Sequence, residues 1–228
     1  MISFEDPNNI PLYIKNYINF NIIQNSNSKK VISCKPIWGM TDKHQIQNII
    51  NSYNNYSDTI VYIFLVTDSC DEFIIPDNVL LYRTSLYKSK QKSNEYVLPY
   101  IWEKIKTPFF YLEKGNYPIV GFCGVNSKFR NRTLEIFYRN KNIKTNYIIR
   151  KYFWGGKSHD PKLVNDFENN MMTSHFNICN RGNGNFSMRF YQTLSAGRIP
   201  ILLNTDMVLP FDNEIYWNNI IILGNTEE

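Results

Sequence analysis

An α/β protein built from two parallel-sheet units is the fold this sequence predicts, and three observations lead to it. Short β-branched apolar runs alternate with stretches whose apolar residues recur at helical spacing, the pattern of strand–helix–strand crossovers. The alternation restarts after TPFFYLEKGNYP, where Gly115 and Pro118 punctuate the chain. A length of 228 residues accommodates one sizeable core or two small ones of roughly 110 residues each.

In the first half, 1–115, VISCKP (31–36) and IVYIFLV (60–66) are too short for membrane helices and read as buried parallel strands. Between them, TDKHQIQNIINSYNNY carries Ile46, Ile49 and Ile50 at helical spacing, with Thr41 or Asp42 as N-cap. NVLLYRTS (78–85) is a further strand, followed by a polar stretch and the aromatic YVLPYIWEKI. The second half, 116–228, opens on the strand IVGFCG (119–124) and continues with a basic helix near 129–140 and a strand at TNYIIR. Asp160-Pro161 starts a helix through LVNDFENNMM. The strand HFNIC, a helix over 186–196, the strand IPILL and a last strand NIIIL (219–223) follow. Right-handed, doubly wound sheets of this kind bind ligands outside the carboxyl ends of their strands.

Composition narrows the function classes. With 43% hydrophobic and 20% charged residues the chain reads as an ordinary globular protein. A net charge of +5 suits an anionic ligand, yet the lysines are scattered rather than gathered into a nucleic-acid-binding face, so no nucleic-acid partner is expected. Cys34, Cys70, Cys123 and Cys179 form no CxxC pair and read as free buried thiols. The sequence shows no transmembrane run, and MISFEDPNNIP lacks the order of a signal peptide, which makes the expected location cytoplasmic.

The segment HFNICNRGNGNFSMRFYQTLSAGRIP (175–200) carries the chemistry. A strand ends in the loop Arg181-Gly182-Asn183-Gly184-Asn185, which leads into a helix with Phe186, Phe190 and Leu194 on its apolar face. A helix N-terminus beside such a loop is an anion site. No Asp or Glu occurs from Phe176 to Thr205 to neutralise Arg181, Arg189 or Arg198. Either a ligand phosphate supplies the anion, gripped by the planar guanidinium fork, or distant acids such as Glu168 or Asp206 complete ordinary salt bridges.

From His175 to about Leu223 the chain resembles the C-terminal signature of the exostosin family of glycosyltransferases. The resemblance is carried by Arg181-Gly182, Ser187, Arg189-Phe190, Ala196-Gly197, Ile199-Pro200, Leu209-Pro210-Phe211 and Trp217, in one order over nearly the whole segment. It implies a GT-B fold, with an acceptor domain at 1–115, a nucleotide-sugar domain at 116–228, and transfer with inversion at the sugar carbon. It further implies that Ser187 and Arg189 meet the diphosphate of a UDP-sugar, with Arg181, Gly182, Met188 and Gln192 on the same donor site. Many members carry Glu where this chain has Gln192, so either donor affinity is reduced or Glu214 or another acid substitutes. The chain stops at GNTEE, before the helices that complete a GT-B second domain, and so reads as a fragment or a minimised enzyme.

GFCGVNSKFRNR resembles the first loop of a GT-B second domain and brings Arg130 toward the donor phosphates; a tight turn followed by a solvated basic helix is the alternative. No D-x-D triplet occurs, and His44, His159 and His175 are dispersed, so neither a metal nor a cofactor beyond the donor is expected. An inverting transfer needs a base for the acceptor hydroxyl, a glycan or other alcohol. Glu95 ranks first, between a basic loop and an aromatic segment, followed by Asp68 and Asp71. The competing reading is a binding module that holds a nucleotide or glycan without turnover.

Overall fold

The computed structural model describes residues 2–4, 31–54, 59–100, 105, 107–157 and 159–225. They divide into two compact units. One comprises Met1–Pro99 with Asn183–Asn185 and Asp206–Pro210; the other comprises Tyr100–Gly182, Phe186–Thr205 and Phe211–Glu228. Residues 100–115, which the sequence groups with the first half, thus fall in the second unit.

The first unit is a parallel five-stranded sheet in the order β1-β2-β3-β4-β5. Its strands are β1 (Ile2–Phe4), β2 (Val31–Trp38), β3 (Thr59–Val66), β4 (Val79–Arg83) and β5 (Glu95–Val97). Helix α1 (Lys43–Asn51) crosses from β2 to β3, and of its two candidate caps Asp42 serves, accepting from the Gln45 N–H at 2.8 Å. Ile46 and Ile50 of α1 are fully buried against Val61, Ile63, Leu65, Val79 and Leu81. Each such aliphatic side chain stabilises the fold by about 1.5–3 kcal/mol. Because strand side chains alternate, Tyr62, Phe64, Tyr82 and Tyr96 occupy the opposite face, where Tyr82 stacks on Phe64 at 5.4 Å and on Tyr96 at 5.0 Å.

The second unit holds β6 (Ile119–Val125), α2 (Lys128–Arg139), β7 (Lys144–Arg150), α3 (Pro161–Met172), β8 (Phe176–Ile178), α4 (Arg189–Ser195), β9 (Ile199–Asn204) and β10 (Ile222–Asn225). Its sheet is parallel in the order β10-β9-β8-β6-β7, so the chain winds outward from β6 to β7, returns through α3, and continues on the other side from β8. The reversal between β6 and β8 makes their carboxyl ends a topological switch point, the place where open α/β sheets bind ligands. Val120, Phe122, Leu134, Ile178 and Ile201 form the core beneath it.

Local chemistry explains these elements. Asp160 caps α3 through the Lys162 and Leu163 N–H groups, with Pro161 at the first helical position. At the other end of α3, Arg198 donates to the Met172 carbonyl from Nε at 3.1 Å and Nη2 at 2.8 Å, and to the Phe110 carbonyl at 2.9 Å. A cation on the last carbonyls of a helix is favourable, so Arg198 is satisfied without a phosphate. His175 accepts from the Ile119 N–H at 3.0 Å through Nδ1, which assigns the proton to Nε2, 3.2 Å from the Glu113 carbonyl. It ties the start of β6 in place.

Two elements differ from the sequence reading. The last strand begins at Ile222 rather than 219, because Trp217–Asn219 forms a 3-10 turn with Trp217 buried against Phe190. Helix α4 begins at Arg189 rather than 186 and has seven residues. Phe186, placed on its apolar face by the sequence, precedes it and packs on Phe190 at 5.1 Å instead.

Candidate functional site

Two glycines explain the spacing of GFCG at the end of β6. A Cβ on Gly121 would lie 2.3 Å from Ser174 Oγ, and one on Gly124 would lie 2.6 Å from Arg189 Nη2. The second absence lets the Arg189 guanidinium reach the strand, where Nη2 donates to the Cys123 carbonyl at 2.5 Å. Arg189 then stacks on Phe122 at 4.6 Å and on Phe167 of α3 at 5.8 Å. The residue as a whole is half-buried, but Nε and Nη1 are shielded from solvent and have no hydrogen-bond partner among the described residues.

Arg130 reaches the same edge from the first turn of α2. It is 6% exposed, lies 5.6 Å from the Phe122 ring centroid, and donates to the Val125 carbonyl at 2.9 Å and the Asn180 carbonyl at 3.4 Å. Among the described residues its Nε is likewise buried without a partner, as are Ser127 Oγ and Asn180 Oδ1. Gly182, just past β8, keeps its backbone close: a Cβ there would sit 3.4 Å from Arg130 Nη2. The carboxyl ends of β6 and β8 therefore carry two guanidiniums, an amide and a hydroxyl with open hydrogen-bonding capacity.

Electrostatics at this edge are uncompensated. Burial, and secondarily the neighbouring charge of Arg189, push Arg130 down to about 10. Burial is also the main cause lowering Arg189, with Arg150 adding repulsion. No carboxylate is among the groups that act on either one, and among the described residues neither forms an ion pair. The distant acids considered from sequence are engaged elsewhere: Glu168 accepts from Thr107 Oγ1 at 2.5 Å, and Asp206 accepts from Ser89 Oγ at 2.5 Å. Buried charge without a counter-charge is costly. The Val125, Asn180 and Cys123 carbonyls and the faces of Phe122 and Phe167 offset part of that cost and leave Nε of both residues and Nη1 of Arg189 without an acceptor among the described residues.

The remaining donor-site candidates occupy varied positions. Ser187 and Met188 are half-buried in the turn before α4, where the Ser187 carbonyl accepts from the Phe190 N–H at 3.0 Å. Gln192 lies one turn along α4 from Arg189 and is 8% exposed. Arg181 is half-buried, with its guanidinium 5.0 Å from the Phe129 ring centroid. Three residues separate the 181–185 loop from α4, so the loop does not lead directly into the helix N-terminus as the sequence suggests, and the unpartnered donors found at this edge belong to guanidiniums. Cys179, at the end of β8, is pushed up to about 11 by burial, and burial raises Cys123 as well, so both stay protonated thiols at neutral pH.

In the first unit, Asp68 follows the carboxyl end of β3 and is half-buried; burial raises its carboxyl above the ordinary range. Gly184 packs here, since a Cβ on it would lie 2.4 Å from Ser85 Oγ and 3.0 Å from Asp68 Oδ1. The adjoining Asn185 donates to the Leu86 carbonyl at 3.1 Å.

Glu95, the carboxylate ranked first from sequence, is 3% exposed and pairs with Arg83 at 3.1 Å. Its Oε2 accepts from the Lys92 N–H. Arg83 in turn donates to the carbonyls of Ser69 and Asp71, both at 2.8 Å, and so holds the loop that carries Asp68. This geometry makes Glu95 a partner of Arg83, while Asp68 is the carboxylate with solvent contact and a raised pKa. Removing one member of a buried pair strands the other, so Glu95→Gln is expected to cost about 3–5 kcal/mol, read as a lowered denaturation midpoint. An unchanged midpoint would show that the pair contributes little.

Sequence reasoning missed Phe122, Ser127, Arg150, Phe167 and Asn180 at the cationic edge and Ser85 beside Asp68. Ser127, Arg150, Asn180 and Ser85 have a signal only in position, at or just past the carboxyl ends of strands, and Arg150 was legible there as the last residue of TNYIIR; Phe122 lies within β6 and Phe167 within α3, where nothing local marks them.

Residues 125–227 match the Exostosin GT47 domain. A stretch of 57 residues, 25% of this chain, is 40% identical to Exostosin-1 of Drosophila melanogaster and spans 8% of that protein's length.

Proposed function

We propose, for a chain whose residues 125–227 belong to the exostosin GT47 family, that it is a glycosyltransferase using a nucleotide-sugar donor. The observation that carries this reading is the pair Arg130 and Arg189, whose buried, unpartnered N–H groups lie at the switch point of the second unit. A nucleoside diphosphate has the charge and the oxygen acceptors those groups lack. The donor is a UDP-sugar and the acceptor a hydroxyl of a glycan or other alcohol. In this division of labour the second unit binds the donor and the first serves the acceptor.

During transfer the acceptor oxygen bonds to the sugar carbon from the face opposite the leaving group, giving inversion. The bond from that carbon to the diphosphate oxygen breaks, and negative charge grows on the departing UDP. Arg189 and Arg130, held at the strand ends by the Cys123, Val125 and Asn180 carbonyls, stabilise that charge. The acceptor proton passes to Asp68, whose raised pKa brings it closer to the value a base needs near neutral pH. With guanidiniums as the counter-charge, no divalent metal is required.

Calorimetric titration with UDP, followed by assay of UDP released from UDP-hexoses and UDP-pentoses with and without EDTA, tests the reading. UDP binding and EDTA-resistant release are expected. No UDP binding would contradict it, and loss of release restored by Mn would contradict metal independence. Binding without release would favour a non-catalytic module, a reading supported by the amide at Gln192 and the engagement of Glu95 with Arg83.

Gln192 supplies a further test. A carboxylate one turn from Arg189 can accept a charge-assisted bond from ribose, worth about 1 kcal/mol more than a neutral one. Gln192→Glu is therefore expected to raise UDP affinity several-fold. An affinity that does not move would place Gln192 away from the nucleoside.

A further inference from the structure

Three consecutive aromatic side chains follow β7. Tyr152, Phe153 and Trp154 are 58, 56 and 52% exposed. Scattered exposed aromatics are ordinary; three in a row on one turn form an apolar surface that water covers poorly. The backbone beneath them is strained, because Trp154 sits in the left-handed region at φ 55, followed by Gly155 at φ 70 and Gly156 at φ 86. A bulky aromatic residue is disfavoured there, and such outliers gather at ligand sites. The turn is also locked in place: a Cβ on Gly155 would meet Leu163 Cδ1 at 2.6 Å.

Its location connects it to the cationic edge. Arg150 pairs in register with Val125, so the turn leaves the carboxyl end of the sheet beside the end of β6, the strand that leads to Arg130. Arg150, two residues before Tyr152, contributes to the electrostatics of Arg189 itself. A ligand with its anionic end on Arg189 and Arg130 and a flat π-surface at its other end fits both features, and a nucleotide is such a ligand.

We propose that Tyr152, Phe153 and Trp154 form a stacking platform for the nucleobase of the donor, with Trp154 as its main contact; this rests on the donor site proposed above. Stacking is tolerant of base identity, so the platform supplies affinity for a nucleotide over bare diphosphate rather than selection among bases.

Trp154→Gly separates this role from a structural one, since glycine accepts the left-handed conformation without strain. UDP and inorganic pyrophosphate are titrated against the wild type and against the variant, with melting temperature recorded. The expected result is UDP affinity lowered about tenfold, pyrophosphate affinity unchanged, and a melting temperature held or raised. Phe153→Ser, at a position without positive φ, provides the same comparison if the glycine variant fails to fold. Unchanged UDP affinity would overturn the platform, as would equal losses for UDP and pyrophosphate in a folded variant. A wild type that binds UDP no tighter than pyrophosphate would overturn it while leaving the phosphate site standing. A wild type that binds neither would overturn both.

Discussion

Replacing Arg189 with Met is expected to lower UDP affinity roughly a hundredfold or more while leaving the fold intact. Two buried N–H groups that wait for acceptors would each make a charge-assisted bond worth about 1.5–3 kcal/mol, and the variant loses both. Methionine keeps the apolar volume against Phe122 and Phe167 and removes a buried charge that forms no ion pair among the described residues, at the loss of one bond to the Cys123 carbonyl, so the melting temperature should hold or rise. Arg189→Lys should recover only part of the affinity, because a point charge lacks the planar fork that engages two phosphate oxygens. Undiminished UDP binding in the methionine variant would remove Arg189 from the donor site. A large fall in stability with unchanged affinity would make it a packing residue.

Asp68→Asn is expected to lower turnover by about 10²- to 10⁴-fold, the usual contribution of a positioned base, without weakening UDP binding. The pH dependence gives an independent sign. A base must be deprotonated to act, so the rate should fall as pH drops through a pKa displaced above that of an ordinary Asp. Stability moves the other way. A carboxyl whose folded pKa is raised binds more protons in the native state than in the unfolded one between the two values, so its contribution to stability falls as pH rises through that window. Asn at this position removes that loss, and the variant should be no less stable at neutral pH. Turnover that survives Asp68→Asn with its acid limb unmoved would assign the proton to another group.

Much of the frame was legible because it is local. Asp42 before Ile46 and Ile50, and Asp160-Pro161 before LVNDFENNMM, announce α1 and α3 through capping chemistry that needs only nearby residues. Arg189 was visible as a cation without local acids, and Arg130 through the resemblance of GFCGVNSKFRNR to a GT-B loop. What could not be read was how side chains are settled over distance. Glu95 looked available among lysines and aromatics, yet its partner Arg83 lies on a neighbouring strand and the pair is buried. Arg198 lacked a local anion just as Arg189 did, but the Met172 and Phe110 carbonyls satisfy it. Phe186 kept helical spacing with Phe190 and still fell outside α4. In GFCG the glycines were uninformative as a motif, and their reason, room for Ser174 and for the Arg189 guanidinium, exists only in three dimensions. The strained turn at Trp154 left no trace in the sequence beyond the Gly155-Gly156 pair.

A crystal structure with UDP bound tests the central claim most directly. The account predicts diphosphate oxygens within hydrogen-bonding distance of Arg189 Nε or Nη1 and of Arg130 Nε, at the carboxyl ends of β6 and β8. A diphosphate held elsewhere, with those N–H groups still unpartnered, would contradict it.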